Sequence, residues 1–384
     1  MRKILTGGDV ITPLRLLKQH SIIIENGKIN AIISASQLIP EPEDEIIDAN
    51  GYWVTPGLID IHTHGGNGAD TMDATHDAFD VIGRFYASCG VTGYLLTTGA
   101  ALNRDIRAVI DSFKEYKHSG NGALPLGLHL EGPYLSAERK GAQPEEFLVK
   151  PEPGEYRQWF ESNTVKLMTV APELDGALDL IRYGTERGIE FAVGHSVATY
   201  EQVNMAVGFG LRQATHTFNG MDSLHHRTPG VVGAVLSDER IYAQIIPDGV
   251  HVHPAVVKLL VKAKGIDKTI LITDAIRAAG LKDGDYKLLG QTITVKSGIA
   301  RIASGSLAGS TLTMDAAVRN VIEFCGVSLA EAITMASYAP AQSLGLHGTK
   351  GHLRAGADAD IVIFDRAMTV KMTIIGGEVV YKKP

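Results

Sequence analysis

Between residues 55 and 349 short apolar runs recur, and each is followed by a stretch with helical spacing. The runs are Gly57 to His62, Gly93 to Thr97, Leu126 to Leu130, Val165 to Val170, Phe191 to Gly194, Gln213 to Thr217, Tyr242 to Ile246 and Ile270 to Thr273. Stretches such as Leu178 to Arg187 and Thr311 to Phe324 place apolar residues three and four apart, as a helix with one buried face requires. Eight strands alternating with helices predict a (β/α)8 TIM-like barrel, a fold of about 250 residues in its usual form. A doubly wound open sheet is the alternative arrangement.

The two chain ends have another texture. Ser21 to Glu25 is followed by Asn26-Gly27 and then Lys28 to Ile33, which predicts a β-hairpin. Asp360 to Asp365 and Val370 to Ile375 flank a turn, and Gly376-Gly377 leads into Glu378 to Tyr381. No helical pattern separates these strands. The expected fold class is therefore α/β: a barrel over 55–349 with a small β-sandwich domain built from 1–54 and 350–384.

Composition adds boundaries to this picture. In 384 residues, 45% are hydrophobic and 21% charged, ordinary for a compact protein. The net charge of -7 argues against a nucleic-acid partner, which calls for a basic face. Cys89 and Cys325 are solitary, so no disulfide framework is expected, both are read as inert core thiols, and a reducing compartment fits. Asp9 interrupts any apolar leader. Runs such as Val231 to Leu236 fall far short of the ~20 residues a membrane helix needs, so no membrane association is expected. The expected location is the cytoplasm.

The chemistry lies where the runs end. The first ends in Asp60-Ile61-His62-Thr63-His64, the third in His129-Leu130-Glu131, the fifth in Gly194-His195, the sixth in Thr215-His216 and the eighth in Thr273-Asp274. In a barrel all strand C-termini open on one face, where active sites lie. Imidazoles and carboxylates are the ligands that zinc and other borderline divalent ions prefer. Residues two apart on a strand share a side, so His62 and His64 can reach one ion. Alone, a His-x-His pair is more often incidental, and a single strand-end His or Asp is usually a satisfied polar group. Six candidate ligands at barrel-mouth positions make a metal centre the better reading.

The stretch Val54-Thr55-Pro56-Gly57-Leu58-Ile59-Asp60-Ile61-His62-Thr63-His64 resembles the signature of the amidohydrolase superfamily, as does Gly351 to Asp360. Within it the chain is similar to the N-acetylglucosamine-6-phosphate deacetylases through His129 to Pro133, Gly194 to Ser196, Thr215 to Met221, Asp248 to His253 and Thr273 to Ala275. That resemblance implies that Glu131, His195 and His216 are principal metal ligands. It makes Asp274 the catalytic acid/base, able to touch a metal as well. It makes His62 and His64 ligands of a second ion, with Glu131 bridging. One or two divalent ions are expected, and zinc, iron, cobalt and manganese all suit the donors. A bound ion can lower the pKa of water from 15.7 to about 7, and the implied reaction is hydrolysis of the acetamide of a phosphorylated amino sugar to amine and acetate, in amino-sugar catabolism and recycling.

An anion site should accompany that chemistry. Asn219-Gly220 offers backbone N–H groups, Arg227 in His225-His226-Arg227 a guanidinium, and His251 a ring in the loop after the seventh strand. The resemblance implies that Asn219, Gly220, Arg227 and His251 contact the sugar phosphate, with Arg227 supplied by a neighbouring subunit of a homodimer. The run Ser304 to Thr311 precedes a helix, and the resemblance raises Leu307, Ala308 and Gly309 to backbone contacts for substrate. Ala142 and Gln143 are expected there too. Gln143 stands where the family shows a histidine, and an amide can donate a hydrogen bond but cannot be cationic. His253 and His352 read as surface or structural histidines. Two rival readings stand beside this one. An amidohydrolase of cyclic amides or ureides would place a carboxylated lysine at the end of strand four, but Lys166 is near the start of that strand. A non-catalytic phosphosugar-binding barrel would be expected to have lost ligands.

Overall fold

The computed structural model describes residues 2–13 and 15–384 of the chain; Met1 and Leu14, both inside the segment 1–54, lie outside the described residues. Eight strands form one sheet in chain order: β1 (Leu58–Thr63), β2 (Val91–Thr98), β3 (Leu124–Glu131), β4 (Val165–Val170), β5 (Glu190–Val193), β6 (Gln213–Ala214), β7 (Tyr242–Ile245) and β8 (Thr269–Leu271). Every neighbouring pair is parallel. This is the expected TIM-like barrel. The connecting helices are amphipathic; Asn103–Glu115, for example, turns Ile106, Val109 and Ile110 inward. The expected helices near Leu178 and Thr311 run Ala177–Thr185 and Met314–Cys325.

The ring closes beyond the end of β8. Asp274 donates its N–H to the His62 carbonyl at 2.9 Å, and His64 donates to the Ala275 carbonyl at 2.8 Å. Asp60, fully buried beside this seam, accepts from Thr273 Oγ1 at 2.5 Å and from the His62 N–H at 3.2 Å. Burial pushes the Asp60 carboxyl up to about 7 in spite of these donors.

A second eight-stranded sheet is built from both chain ends. Its strands are Lys3–Thr12, Arg15–Glu25, Lys28–Ser34, Glu45–Asp48, Trp53–Pro56, Ile361–Phe364, Val370–Ile375 and Glu378–Lys382. Lys3–Thr12 pairs with Glu45–Asp48 through its first half and with Trp53–Pro56 through Asp9 and Val10, so the sheet forks there. Leu5, Val10, Ile22, Ile24, Ile361, Ile363 and Ile374 fill a shared core. Asn26 and Gly27 both have positive φ, 51° and 75°, as a two-residue hairpin turn requires. Trp53–Pro56 pairs with Ile361–Phe364, so the expected boundary between residues 54 and 55 falls inside a strand.

The aspartates of Ala357-Asp358-Ala359-Asp360 tie these parts together. Lys350 Nζ lies 2.8 Å from Asp358 and 2.6 Å from Asp360, and Lys28 reaches Asp358 at 2.5 Å. The Asp360 carbonyl accepts from Gly57 N–H just before β1, and its carboxylate accepts from Gly376 N–H. Burial disfavours a charged Lys350, but Asp360 and Asp358 outweigh it and raise the ammonium pKa.

One element was not expected. Gly284–Leu288, Gln291–Lys296 and Ile299–Ile302 form a three-stranded antiparallel sheet after β8. Gln291 Nε2 donates to the Ala142 carbonyl at 3.0 Å, which carries this sheet across to the loop after β3. Among the described residues no helix is long and apolar enough to cross a membrane. Both cysteines are free; Cys89 is buried, which pushes its thiol up to about 12, whereas Cys325 is only half-buried.

Replacing Lys350 with Met should leave Asp360 without its cation and Asp358 with Lys28 alone. The expected cost is about 3 kcal/mol in urea unfolding, the order seen when one partner of a buried ion pair is removed. A wild-type unfolding midpoint in this variant would show that the clamp contributes nothing.

Candidate metal centre

Glu131 is the last residue of β3, 2% exposed, and its carboxylate is ringed by imidazole nitrogens. Its Oε1 lies 3.0 Å from His216 Nε2, 3.2 Å from His195 Nε2 and 3.5 Å from His62 Nε2. Its Oε2 lies 3.3 Å from His64 Nε2. Asp274 Oδ1 is on the same side as the β1 histidines, 3.2 Å from His64 Nε2 and 3.5 Å from His62 Nε2. The donors thus fall into two groups sharing Glu131: His62 with His64, and His195 with His216. Asp274 stands beside the first group rather than within either.

Backbone geometry brings the rings inward. His195, His216 and Asp274 all have positive φ, 47°, 29° and 51°. Non-glycine residues pay for that conformation, and it gathers at functional sites. Each of these chains therefore leaves its strand direction at the mouth and turns its side chain over the barrel. Gly220, at φ 62°, lies against His195; a Cβ there would meet His195 Nδ1 at 2.9 Å.

The far nitrogens are also held. His195 Nδ1 faces the Arg139 carbonyl at 2.8 Å and His64 Nδ1 the Thr97 carbonyl at 3.2 Å. A carbonyl only accepts, so both rings carry their proton on Nδ1 and present a lone pair at Nε2. His62 Nε2 is buried without any hydrogen-bond partner. Beneath it His129 stands edge-on at 4.6 Å between ring centroids, bonded to Thr169 Oγ1 at 2.7 Å. Two Nε2 atoms, of His195 and His216, approach to 3.0 Å. Imidazole nitrogens that converge on one another and on a buried carboxylate match the donor set of a divalent cation.

Electrostatics points the same way. Burial would push the Glu131 and Asp274 carboxyls up, yet the surrounding histidines hold both below their ordinary values. Burial keeps His62 neutral, down to about 4. For His64 burial is outweighed by Asp274 and Glu131, which raise it well above the ordinary value. Two buried carboxylates demand positive charge beside them, and a bound cation answers that demand without protonating a ligand. The residues fit a divalent metal ion.

A cavity of about 270 Å³ opens over this centre. It gathers Ala142, Gln143, Asn219, Gly220, His251, Leu307 and Gly309 from the sequence reading with His64, Glu131, His195, His216 and Asp274. Ala308 is buried just behind, in the core under the three-stranded sheet. Arg227 is exposed and lies outside, lining a neighbouring cavity with Arg139 and Asp222. The run Ser304 to Thr311 does not present a free helix end. Ser310 N–H donates to the Asp274 carbonyl at 2.7 Å, and Ser304 and Gly305 stay exposed. Gln143 turns its Oε1 to the Ala100 N–H at 2.8 Å and donates from Nε2 to Glu131 Oε2 at 2.7 Å. Sequence reasoning missed that clamp, along with Leu288 and Leu289, which also line the cavity. His253 caps the helix Pro254–Lys264 through its Nδ1, and His352 is buried against the His347 carbonyl. Lys166 is exposed near the start of β4, away from the mouth.

Histidine and carboxylate donors at the C-terminal rim of a closed parallel barrel define a metal-binding (β/α)8 enzyme. The sequence pattern of the amidohydrolase family matches residues 53–380, and the chain belongs to that family. It is 40% identical over 360 residues to the N-acetylglucosamine-6-phosphate deacetylase of Vibrio furnissii, covering 93% of this chain and 89% of that protein. It is 39% identical to the N-acetylgalactosamine-6-phosphate deacetylase of Escherichia coli O157:H7, over 98% of this chain and 99% of the other. Among solved structures, the N-acetylglucosamine-6-phosphate deacetylase of Pasteurella multocida superposes with a TM-score of 0.95 at 29% identity, with both chains fully covered. A mutant Mycobacterium smegmatis N-acetyl-D-glucosamine-6-phosphate deacetylase, solved in complex with N-acetyl-D-glucosamine-6-phosphate, gives 0.92 at 34% identity over 99% of this chain and 100% of that one.

Elemental analysis of the purified protein should find divalent metal. Glu131→Gln and His195→Asn should each lose most of it, whereas His64→Asn should keep the ion held by Glu131, His195 and His216. Full metal content in Glu131→Gln would remove Glu131 from the ligand set.

Proposed function

We propose that the chain hydrolyses the acetamide of N-acetyl-D-glucosamine 6-phosphate to D-glucosamine 6-phosphate and acetate, serving amino-sugar catabolism and recycling. The observation that carries this reading is that one cavity joins the metal donors, the Asp274 carboxylate and the expected phosphate contacts Asn219, Gly220 and His251. The named activity of the relatives supports it.

Glu131, His195 and His216 would hold the first ion, and His62 and His64, with Glu131 shared, a second. When bound, such an ion lowers the pKa of water to about 7 and polarises a carbonyl. Zinc, iron, cobalt and manganese all suit these ligands. Asp274 is ionised at neutral pH because His62 and His64 overcome its burial, so it is ready to accept a proton. It takes the proton of the attacking water as the oxygen adds to the acyl carbon. It then delivers that proton to the amine nitrogen as the C–N bond breaks, since an amine leaves poorly unless protonated. Gln143 spends one amide hydrogen on Glu131, and its second is available to the acyl oxygen.

His251 Nδ1 lies 2.6 Å from Asp248 Oδ2; burial alone would lower the imidazole pKa, but Asp248 outweighs it and raises it. A cationic ring at the cavity suits a phosphate dianion. Arg227, exposed and outside this cavity, would reach the phosphate in a neighbouring subunit of a homodimer. The segments 1–54 and 350–384 act as a small domain beside the barrel 55–349, and two free cysteines suit the cytoplasm.

Asp274→Asn should lower kcat by about 10²–10⁴-fold while metal content stays at the wild-type level. Near-normal turnover in that variant would show that Asp274 is not the proton carrier. Phosphate affinity should follow the His251 charge. It is full below the ordinary histidine pKa and is lost as pH climbs through the raised value, so KM should rise on the alkaline side. His251→Asn should flatten that limb; an unchanged KM profile would remove His251 from the phosphate site.

A further inference from the structure

Leu289 has no part in the chemistry above, yet it occupies the site. It sits at the tip of the hairpin between Gly284–Leu288 and Gln291–Lys296, at φ 48°, followed by Gly290 at φ 79°. Two consecutive left-handed residues favour Asn-Gly or Gly-Gly, and a leucine is unfavourable there. An apolar residue at an exposed hairpin tip would ordinarily face water. This one is half-buried, packs with Ala142 on the core under the three-stranded sheet, and lines the cavity with Glu131, Gln143 and Asp274.

Its contacts lead to one side of the metal centre. Leu289 Cδ1 and Cδ2 lie 2.5 and 2.6 Å from the point where a Cβ on Gly99 would stand, so the leucine fills the space a side chain there would need. The next residue, Ala100, holds Gln143 by its N–H, and Gln143 reaches Glu131 Oε2. Asn219 and Gly220 instead adjoin His216 and His195, the histidines on Glu131 Oε1. An amide whose carbon sits at the centre and whose phosphate reaches toward Asn219 and Gly220 must turn its acyl substituent the other way. That way is toward Gln143, Gly99 and Leu289.

We propose that Leu289 sets the length of the acyl group removed: it closes the end of the cavity against which the acetyl methyl rests, and so excludes longer chains. This rests on the amide-hydrolase reading and narrows it to short N-acyl substrates. The hairpin tip tolerates change, and Leu289→Gly suits its left-handed backbone, so Leu289→Ala and Leu289→Gly can both be read.

The test compares N-acetyl, N-propionyl and N-butyryl glucosamine 6-phosphate as substrates of the metal-loaded wild type and the two variants. Each added methylene should cost the wild type about tenfold or more in kcat/KM. Both variants should raise the butyryl-to-acetyl ratio about tenfold or more. Inhibition by D-glucosamine 6-phosphate, which has no acyl group, should not change. A butyryl-to-acetyl ratio equal to that of the wild type in both variants overturns the proposal while leaving deacetylation intact. So does an equal loss on all three substrates. If the wild type releases no carboxylic acid from any of the three, the hydrolase reading fails and this proposal with it.

Discussion

A carboxylate with almost no solvent contact, surrounded by four imidazoles, is the constraint on which the rest of this molecule depends. Glu131 is buried to 2% exposure at the end of β3. A charge in such a place is tolerated only with close compensation. Meeting that need draws in residues from β1 and from the ends of β5 and β6, and forces His195 and His216 into left-handed backbone. The Arg139 and Thr97 carbonyls that orient two of the rings come from the loop that also carries Gln143 and from the strand that leads to Ala100. The barrel scaffold is general; the closely set mouth is a response to this one group.

Much of this was legible in the sequence because strand ends are marked in it. Continuous apolar runs ending in His, Glu or Asp give both the strand and the direction of its last side chain, so the six donors and the barrel could be read together. What stayed hidden depends on partners far away in sequence. The link from Ala100 through Gln143 to Glu131, the edge-on His129 and the seam at Asp60 and Thr273 are each set by tertiary contact. The three-stranded sheet is a different omission. Thr292 to Lys296 alternates polar and apolar residues between Gly290 and Ser297-Gly298, a local strand signal. The alternation of strand and helix along the barrel is the stronger pattern in that part of the chain and predicts a helix there instead. With the sheet went Leu288 and Leu289.

The chain ends show how a weak motif gains meaning from packing. Ala357-Asp358-Ala359-Asp360 alternates alanine with aspartate but is too short to predict an element. In the structure its small residues let the backbone lie between the sheet and the barrel, while its aspartates take Lys28 and Lys350. Asp360 contacts Gly57 immediately before β1. The sheet is thereby fixed to the strand that carries His62 and His64, so the orientation of that strand depends on residues from both termini.

The seam between β1 and β8 has a consequence for the life of the chain before it is folded. Thr273 and Asp60 meet across 213 positions of sequence, and such distant pairings are the slow, late steps of folding. His62 and His64 lie on one side of that seam and Asp274 on the other. Both donor groups around Glu131 are complete in sequence once His216 has been made, whereas Asp274, which faces them across the seam, follows only when nearly three quarters of the chain exists. Asp274 is thus the last of the six mouth residues to be made, and the site takes its final form only when the ring closes.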